Sequence, residues 1–190
     1  MEFLETVKKS RSYRRFDESK PVDFNTLKEL VELARFSPSS GNIQGLKFYL
    51  SSDPAINEKI FETTMWASYL KNWKGPEKGE RPTAYIIILG DTEIHSTIQV
   101  DVGIVAQSIM LGAASLGIGG CMIGSFNRKK LQERLHIDEK FELPLVLALG
   151  YPKEQVVLED VKDDEIKYWR DDAGVHHVPK RSMEELIVNS

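Results

Sequence analysis

One cysteine in 190 residues cannot make an internal disulfide, nor by itself a thiolate zinc site. Positive charge is not in excess either: 25 Lys and Arg stand against 29 Asp and Glu, for a formal net charge of −4. Such a balance disfavours a phosphate backbone unless the cations gather on one face, so no nucleic-acid partner is expected. No internal repeat or low-complexity block is present, which removes solenoids and arrays. The opening residues, MEFLETVKKS, lack an apolar core and a small-residue cleavage site. Export is therefore not expected, and a reduced, cytoplasmic protein is. Charge is missing from Val102 to Asn127, longer than the ~20 residues a membrane crossing needs. That run carries Gln107, Ser108, Ser115, Ser125 and six glycines, and Gly117-Ile-Gly-Gly120 would break a helix partway across. A buried helix, a turn and a buried strand place the same residues without stranding backbone groups in lipid, so no membrane association is expected.

What remains is ordinary globular material, 41% hydrophobic and 28% charged, read as one domain over residues 1–190. Residues 2–9 form a short amphipathic helix with Phe3, Leu4 and Val7 on one side. Asp23 caps a second, in which Phe24, Leu27, Leu30, Val31 and Ala34 recur at helical spacing. Pro38 and Gly41 force a loop before a strand at Leu46–Leu50, and Asp53-Pro54 opens a third helix. Tyr85–Leu89 is a buried strand. Ile98–Leu116, apolar nearly all round, is a helix for the middle of a fold or a subunit contact. Cys121–Ile123 and Pro144–Leu149 are further strands, and Asn127 caps a helix between them. Helices and strands mix along the chain, which puts a sheet between helices. From Pro152 to Arg181 charges abound without a period, yet Tyr168, Trp169, Val175 and Val178 are poor choices for a free tail. The segment reads as an arm packing on another subunit. Ser182–Glu185 is a capping box opening a last helix.

Several constellations could carry chemistry. Lys8-Lys9-Ser10-Arg11-Ser12-Tyr13-Arg14-Arg15 sets five cations in eight positions, either a phosphate grip of forked donors or a solvated run at a helix end. Ser37-Pro-Ser-Ser-Gly-Asn-Ile-Gln44 is either a plain helix-terminating turn or a loop whose amides and hydroxyls read a planar heterocycle. Leu116–Gly124 is glycine-rich, but it follows a helix and opens a strand, the reverse of a Rossmann phosphate loop. Adjacent His176 and His177 point to opposite faces of an extended segment and chelate poorly. No metal set at helical spacing and no Ser/His/Asp set is suggested. Cys121 sits in an apolar run, as a buried inert thiol would. Trp66, Tyr69, Leu70 and Trp73 fall at helical spacing, as a core stripe or a lid over a flat substrate beside a mobile polar loop at 74–82.

Taken together and in order, these segments resemble the FMN-dependent nitroreductase family. Arg11-Ser-Tyr-Arg-Arg-Phe16 is similar to its N-terminal signature, Ser37–Gln44 to the loop after its second helix, Asp101–Gly124 to its interface helix with the glycine-rich turn, and Leu147–Pro152 to the strand before its C-terminal arm. The resemblance implies an α+β fold, with a central, mostly antiparallel sheet flanked by helices. It also implies a homodimer whose C-terminal arm (152–181) is exchanged between subunits. FMN would lie at the interface. Arg11 and Ser12 would grip the phosphate and ribityl end, Arg14 the pyrimidine edge, and backbone at Ile123-Gly124 the N5 region. Pro38, Ser39, Ser40 and Asn42 would come from the other subunit, and Lys180 and Arg181 would return to the phosphate. NADH or NADPH would deliver hydride, and a small flat acceptor such as a nitroaromatic or quinone would take it, with no catalytic side chain and no metal. A flavin-binding dimer serving as redox sensor or FMN carrier is the alternative. Two departures stand out: Ser10, where many members carry Arg, and Gly45-Leu46, where Pro-Trp is frequent.

Overall fold

The computed structural model describes residues 2–94 and 98–189. Its elements run α1 (Phe3–Lys9), α2 (Phe24–Arg35), a 3-10 turn (Ser40–Asn42), β1 (Leu46–Ser51), α3 (Pro54–Phe61), β2 (Ala84–Asp91), α4 (Gln99–Ser115), β3 (Gly119–Ile123), α5 (Arg128–Leu135), β4 (Phe141–Gly150), β5 (Val156–Asp160), β6 (Trp169–Arg170), β7 (His176–Lys180) and α6 (Met183–Leu186). Caps set most helix starts: Asp23 accepts from the Asn25 and Thr26 amides, Asp53 from Ile56, and Asn127 from Lys130. Each satisfies N–H groups that a helix start would otherwise leave unpaired. Ser182 and Glu185 make the expected capping box of α6.

The main sheet is antiparallel throughout, in the order β1-β2-β4-β3. Alternation along the central strands decides what each face buries. Ile86, Ile88, Leu147 and Leu149 face α2 and α4 in one core, while Tyr85, Ile87, Val146 and Ala148 face Ile60 of α3 and Leu131 of α5 in the other. With both faces covered, β2 is buried at every residue, which is why it reads as a continuous apolar run. The uncharged 102–127 stretch resolves into α4, a turn and β3. Gly112 of α4 lets Leu30 and Leu33 of α2 pack where a Cβ would stand. Among the described residues no helix is long and apolar enough to cross a membrane.

Three readings change. The aromatic stripe at Trp66, Tyr69 and Trp73 is not a helix but a chain of turns. The Met65 amide donates to Ser125 O, Thr64 pairs with Phe126, and Ala67 is left-handed (φ 39°). Pairing with the chain beyond β3 takes the hydrogen bonds a helix would have used. The 74–82 loop, expected to be mobile, is fastened: Glu80 takes a forked ion pair from Arg15, and its carbonyl accepts from the Phe16 amide. The arm, which showed no period, contains a second sheet in the order β5-β7-β6, with β5 parallel to β7. Its strands are too short, and its partners too far apart in sequence, for alternation to register. Within this chain the arm lies on the N-terminal segment.

Candidate functional site

The segment after α1 runs along the free edge of β3. The Tyr13 amide donates to Gly120 O at 2.9 Å, and Ser12 pairs with Gly120. Phe16, fully buried, anchors the far end against Gly150. Around these fixed points the arginines diverge. Arg11 donates to Val7 O at the end of α1 (2.8 Å), while its Nε is buried without a partner among the described residues; burial lowers its pKa. Arg15 turns away to Glu80, with Nε and Nη2 at 2.6 and 2.7 Å from the carboxylate. This fork raises the guanidinium and lowers the acid.

Arg14 turns inward. Its Nη1 donates to Ser12 O (3.2 Å) and lies 3.0 Å from His176 Nε2, and its Cζ sits 4.5 Å from the centre of the Tyr168 ring. Tyr168 also packs on His176 and Tyr69, with ring centres 5.2 and 4.9 Å apart. Beneath them Glu154, its side chain fully buried, accepts from the Arg14 and Arg15 amides and pairs with Arg170 Nη2 at 2.8 Å. Burial, followed by the neighbouring Arg14 and Arg170, pushes His176 down to about 4.

Arg14 and Tyr168 form one side of a cavity of about 410 Å³, closed by the 65–68 turn and by residues 121–125 at the end of β3. That size lies within the range usual for small-molecule sites. A Cβ on Gly124 would meet nothing within 4 Å, so backbone there faces open space. Cys121 on the wall is buried, its thiol pushed up by burial and inert.

Of the residues singled out in the sequence, Arg14, Ile123, Gly124 and Trp66 meet at this cavity. Ser12 contributes a carbonyl that fixes Arg14. Tyr69 reaches the cavity only through Tyr168, and Trp73 carries the Arg170 guanidinium on its face at 4.8 Å. Pro38 and Ser39 line another cavity, of about 380 Å³, with Asp101 and Lys47. There Asp101 accepts from Ser39 Oγ (2.6 Å) and from the Ser40 amide (3.0 Å), and the Asn42 carbonyl accepts from Gln44. Gly41, Asn42 and Gln44 all stand near φ 56°, so the loop is tightly curled. Lys180 ends β7, and Arg181 is engaged by Asp164 and Glu185 at 3.3 and 3.1 Å; neither lines the first cavity. Glu154, Tyr168 and His176 went unmarked as site residues in the sequence, since nothing local distinguishes them. Asp101 carried a signal: a carboxylate opening an otherwise apolar helix. Among the described residues no group of three or more His, Cys, Asp or Glu could hold a metal ion.

A sequence model described as the nitroreductase family matches residues 7–151. YodC of Bacillus subtilis strain 168, provisionally named an NAD(P)H nitroreductase, is 25% identical over 177 residues, covering 77% of this chain and 88% of its own. A nitroreductase family protein of Clostridium difficile 630 superposes with a TM-score of 0.71 at 19% identity, covering 100% and 99% of the two chains. A provisionally named nitroreductase of Desulfovibrio desulfuricans, solved in complex with FMN, gives 0.72 at 17% identity, covering 100% and 97%.

Proposed function

The chain belongs to the nitroreductase family, and from that premise we propose that it is a homodimeric FMN-dependent oxidoreductase using NADH or NADPH to reduce flat acceptors such as nitroaromatics or quinones. The observation that carries this reading is Arg14, whose charge is held at a cavity of about 410 Å³ by neutral partners. A cation so placed suits an electron-rich heterocycle edge. The donor set fits the group: the buried Arg11 Nε lacks a partner among the described residues, Ser12 follows it in sequence, and Gly124 beside Ile123 faces open space at the cavity. When bound, FMN would supply the redox chemistry between NAD(P)H and the acceptor. The chain's own residues bind, orient and exclude water; none is assigned an acid or base role.

Arg11 and Ser12 would take the phosphate end, Arg14 the pyrimidine edge, and Ile123-Gly124 the N5 side. Pro38 and Ser39 line a different cavity of the same chain, with Ser40 and Asn42 following in the same loop, so in this reading the four complete the site from a second copy. Lys180 and Arg181 would hold the phosphate, Arg181 in place of its pairs with Asp164 and Glu185. A shallow groove with Phe3, Leu33 and Phe36 offers the second copy an apolar seat; Phe3 and Phe36 are 71% and 69% exposed. Exchange of arm 152–181 belongs to the same proposal. The Arg14–His176 contact is then made by whichever copy supplies the arm.

The test is a visible spectrum with a size measurement on purified protein, followed by NAD(P)H oxidation with a nitroaromatic acceptor. Yellow dimeric protein turning over faster than free FMN is the expected result. Colourless protein that stays inactive when FMN is supplied overturns the reading, and a yellow dimer no faster than free FMN replaces it with a flavin sensor or carrier.

A further inference from the structure

Three arginines converge where the arm meets the N-terminal segment, and two are neutralised. Arg15 forks onto Glu80, and Arg170 pairs through Nη2 with buried Glu154. Arg14 differs: among the described residues its guanidinium makes no carboxylate pair, and its partners are Ser12 O, His176 Nε2 and the Tyr168 ring. A guanidinium can only donate, so Nε2 must accept, and the imidazole proton is forced onto Nδ1. That Nδ1 is buried without a partner among the described residues, in a residue 1% exposed. An acceptor that leaves its own N–H unsatisfied is a poor choice for stability alone. Among the described residues the charged groups that act on the ring are Arg14 on the N-terminal segment, Arg170 directly across in β6 and adjacent His177, all opposing protonation; the carboxylate beneath, Glu154, is taken up by Arg170.

We propose that His176 is a positioning residue: as a neutral imidazole it aims the Arg14 guanidinium at the cavity without cancelling its charge, so that the full cation meets an electron-rich or anionic ring edge. A carboxylate at 176 would hold Arg14 more tightly and erase the charge. Glu80 and Glu154 do this to the neighbouring arginines, whose task is to fasten loop and arm. The inference rests on the proposed flavin site for its consequence, but not for its geometry.

Two measurements test it. On the full chain without flavin, the nitrogen-15 resonances of His176 at pH 7 are expected to report a neutral ring protonated at Nδ1. A ring protonated at Nε2, or at both nitrogens, overturns the proposal. On the FMN-loaded protein, a dye-linked redox titration compares His176→Glu with His176→Gln, which keeps an acceptor near the Nε2 position. His176→Glu is expected to weaken the preference for reduced over oxidised flavin at least tenfold, about 30 mV for a two-electron couple, with His176→Gln within twofold of wild type. Equal potentials for the two variants overturn the proposal, since a merely structural histidine would not separate them. If wild-type protein retains no FMN the flavin reading fails, and the nitrogen-15 result alone decides the role of His176.

Discussion

Glu154 is the residue whose loss this structure punishes most directly. Its side chain is fully buried, it accepts from the Arg14 and Arg15 amides, and it pairs with Arg170, whose side chain is 14% exposed. Glu154→Ala strands two amides and a nearly buried cation. Removing one member of a buried pair costs about 3–5 kcal/mol, and each orphaned amide about 1–3. These overlap, and relaxation at the arm's edge admits water, so we expect about 4 kcal/mol in all. With a urea m-value of roughly 2 kcal/mol/M for a domain of this size, the midpoint should fall by about 2 M. Glu154→Gln keeps an oxygen for the amides but turns an NH₂ toward Arg170, and should lose roughly half as much. The double variant Glu154→Leu/Arg170→Met removes the charge problem and leaves the amide problem. It should therefore recover part of the loss, but not all. The assay is urea denaturation by circular dichroism at one fixed protein concentration, because association would shift the midpoint. A Glu154→Ala midpoint within about 0.5 M of wild type, on the same m-value, would refute the account of how the arm is fastened to the N-terminal segment.

Acid should act through His176. Its folded pKa is about 4 against an ordinary 6.5, so between these values the unfolded chain binds the extra proton and stability falls as pH falls. At about 1.4 kcal/mol per pH unit the ceiling is roughly 3 kcal/mol. Carboxylates with lowered pKa, such as Glu80, add their own acid loss, so the informative quantity is the difference in slope between wild type and His176→Gln in pH-dependent urea melts. Asp101→Ala removes the acceptor for Ser39 Oγ and the Ser40 amide. We expect about 1–3 kcal/mol by thermal melting, and weaker flavin retention if that loop completes the site. Gly120→Ala would set a methyl 2.9 Å from the Ala148 carbonyl oxygen and 2.8 Å from Leu149 Cδ2. Overpacking there should cost about 1–3 kcal/mol and disturb the strand edge that seats Ser12 and Tyr13; a melting temperature equal to wild type would contradict the packing.

Features whose cause lies within a few residues are legible in the chain itself. Asp23, Asp53, Asn127 and Ser182 announce helix starts because a cap acts on amides two or three positions away. The β-branched run Tyr85–Leu89 and the charge-free stretch of α4 after Asp101 announce burial by composition. The 66–73 stripe misled because helical spacing is also met by aromatics that serve different neighbours: Trp66 is drawn into the core beside Phe61, Tyr69 goes to Tyr168, and Trp73 to Arg170. The arm's strands escaped notice because β5 and β7 are parallel partners separated by a long excursion, which no local pattern records.

Which arginine does what could be settled only in three dimensions. Five cations stand close together near the N-terminus, and nothing local separates Arg14 from Arg15. Their fates are decided by partners far along the chain, Glu80 for one and His176, 162 positions away, for the other. Sequence sets propensity, capping and the alternation that sorts side chains to the two faces of a sheet. The charge state of a site depends on which acceptors loop closure brings within about three ångströms of a donor, and here that was an imidazole beside Arg14 and a carboxylate beside Arg15.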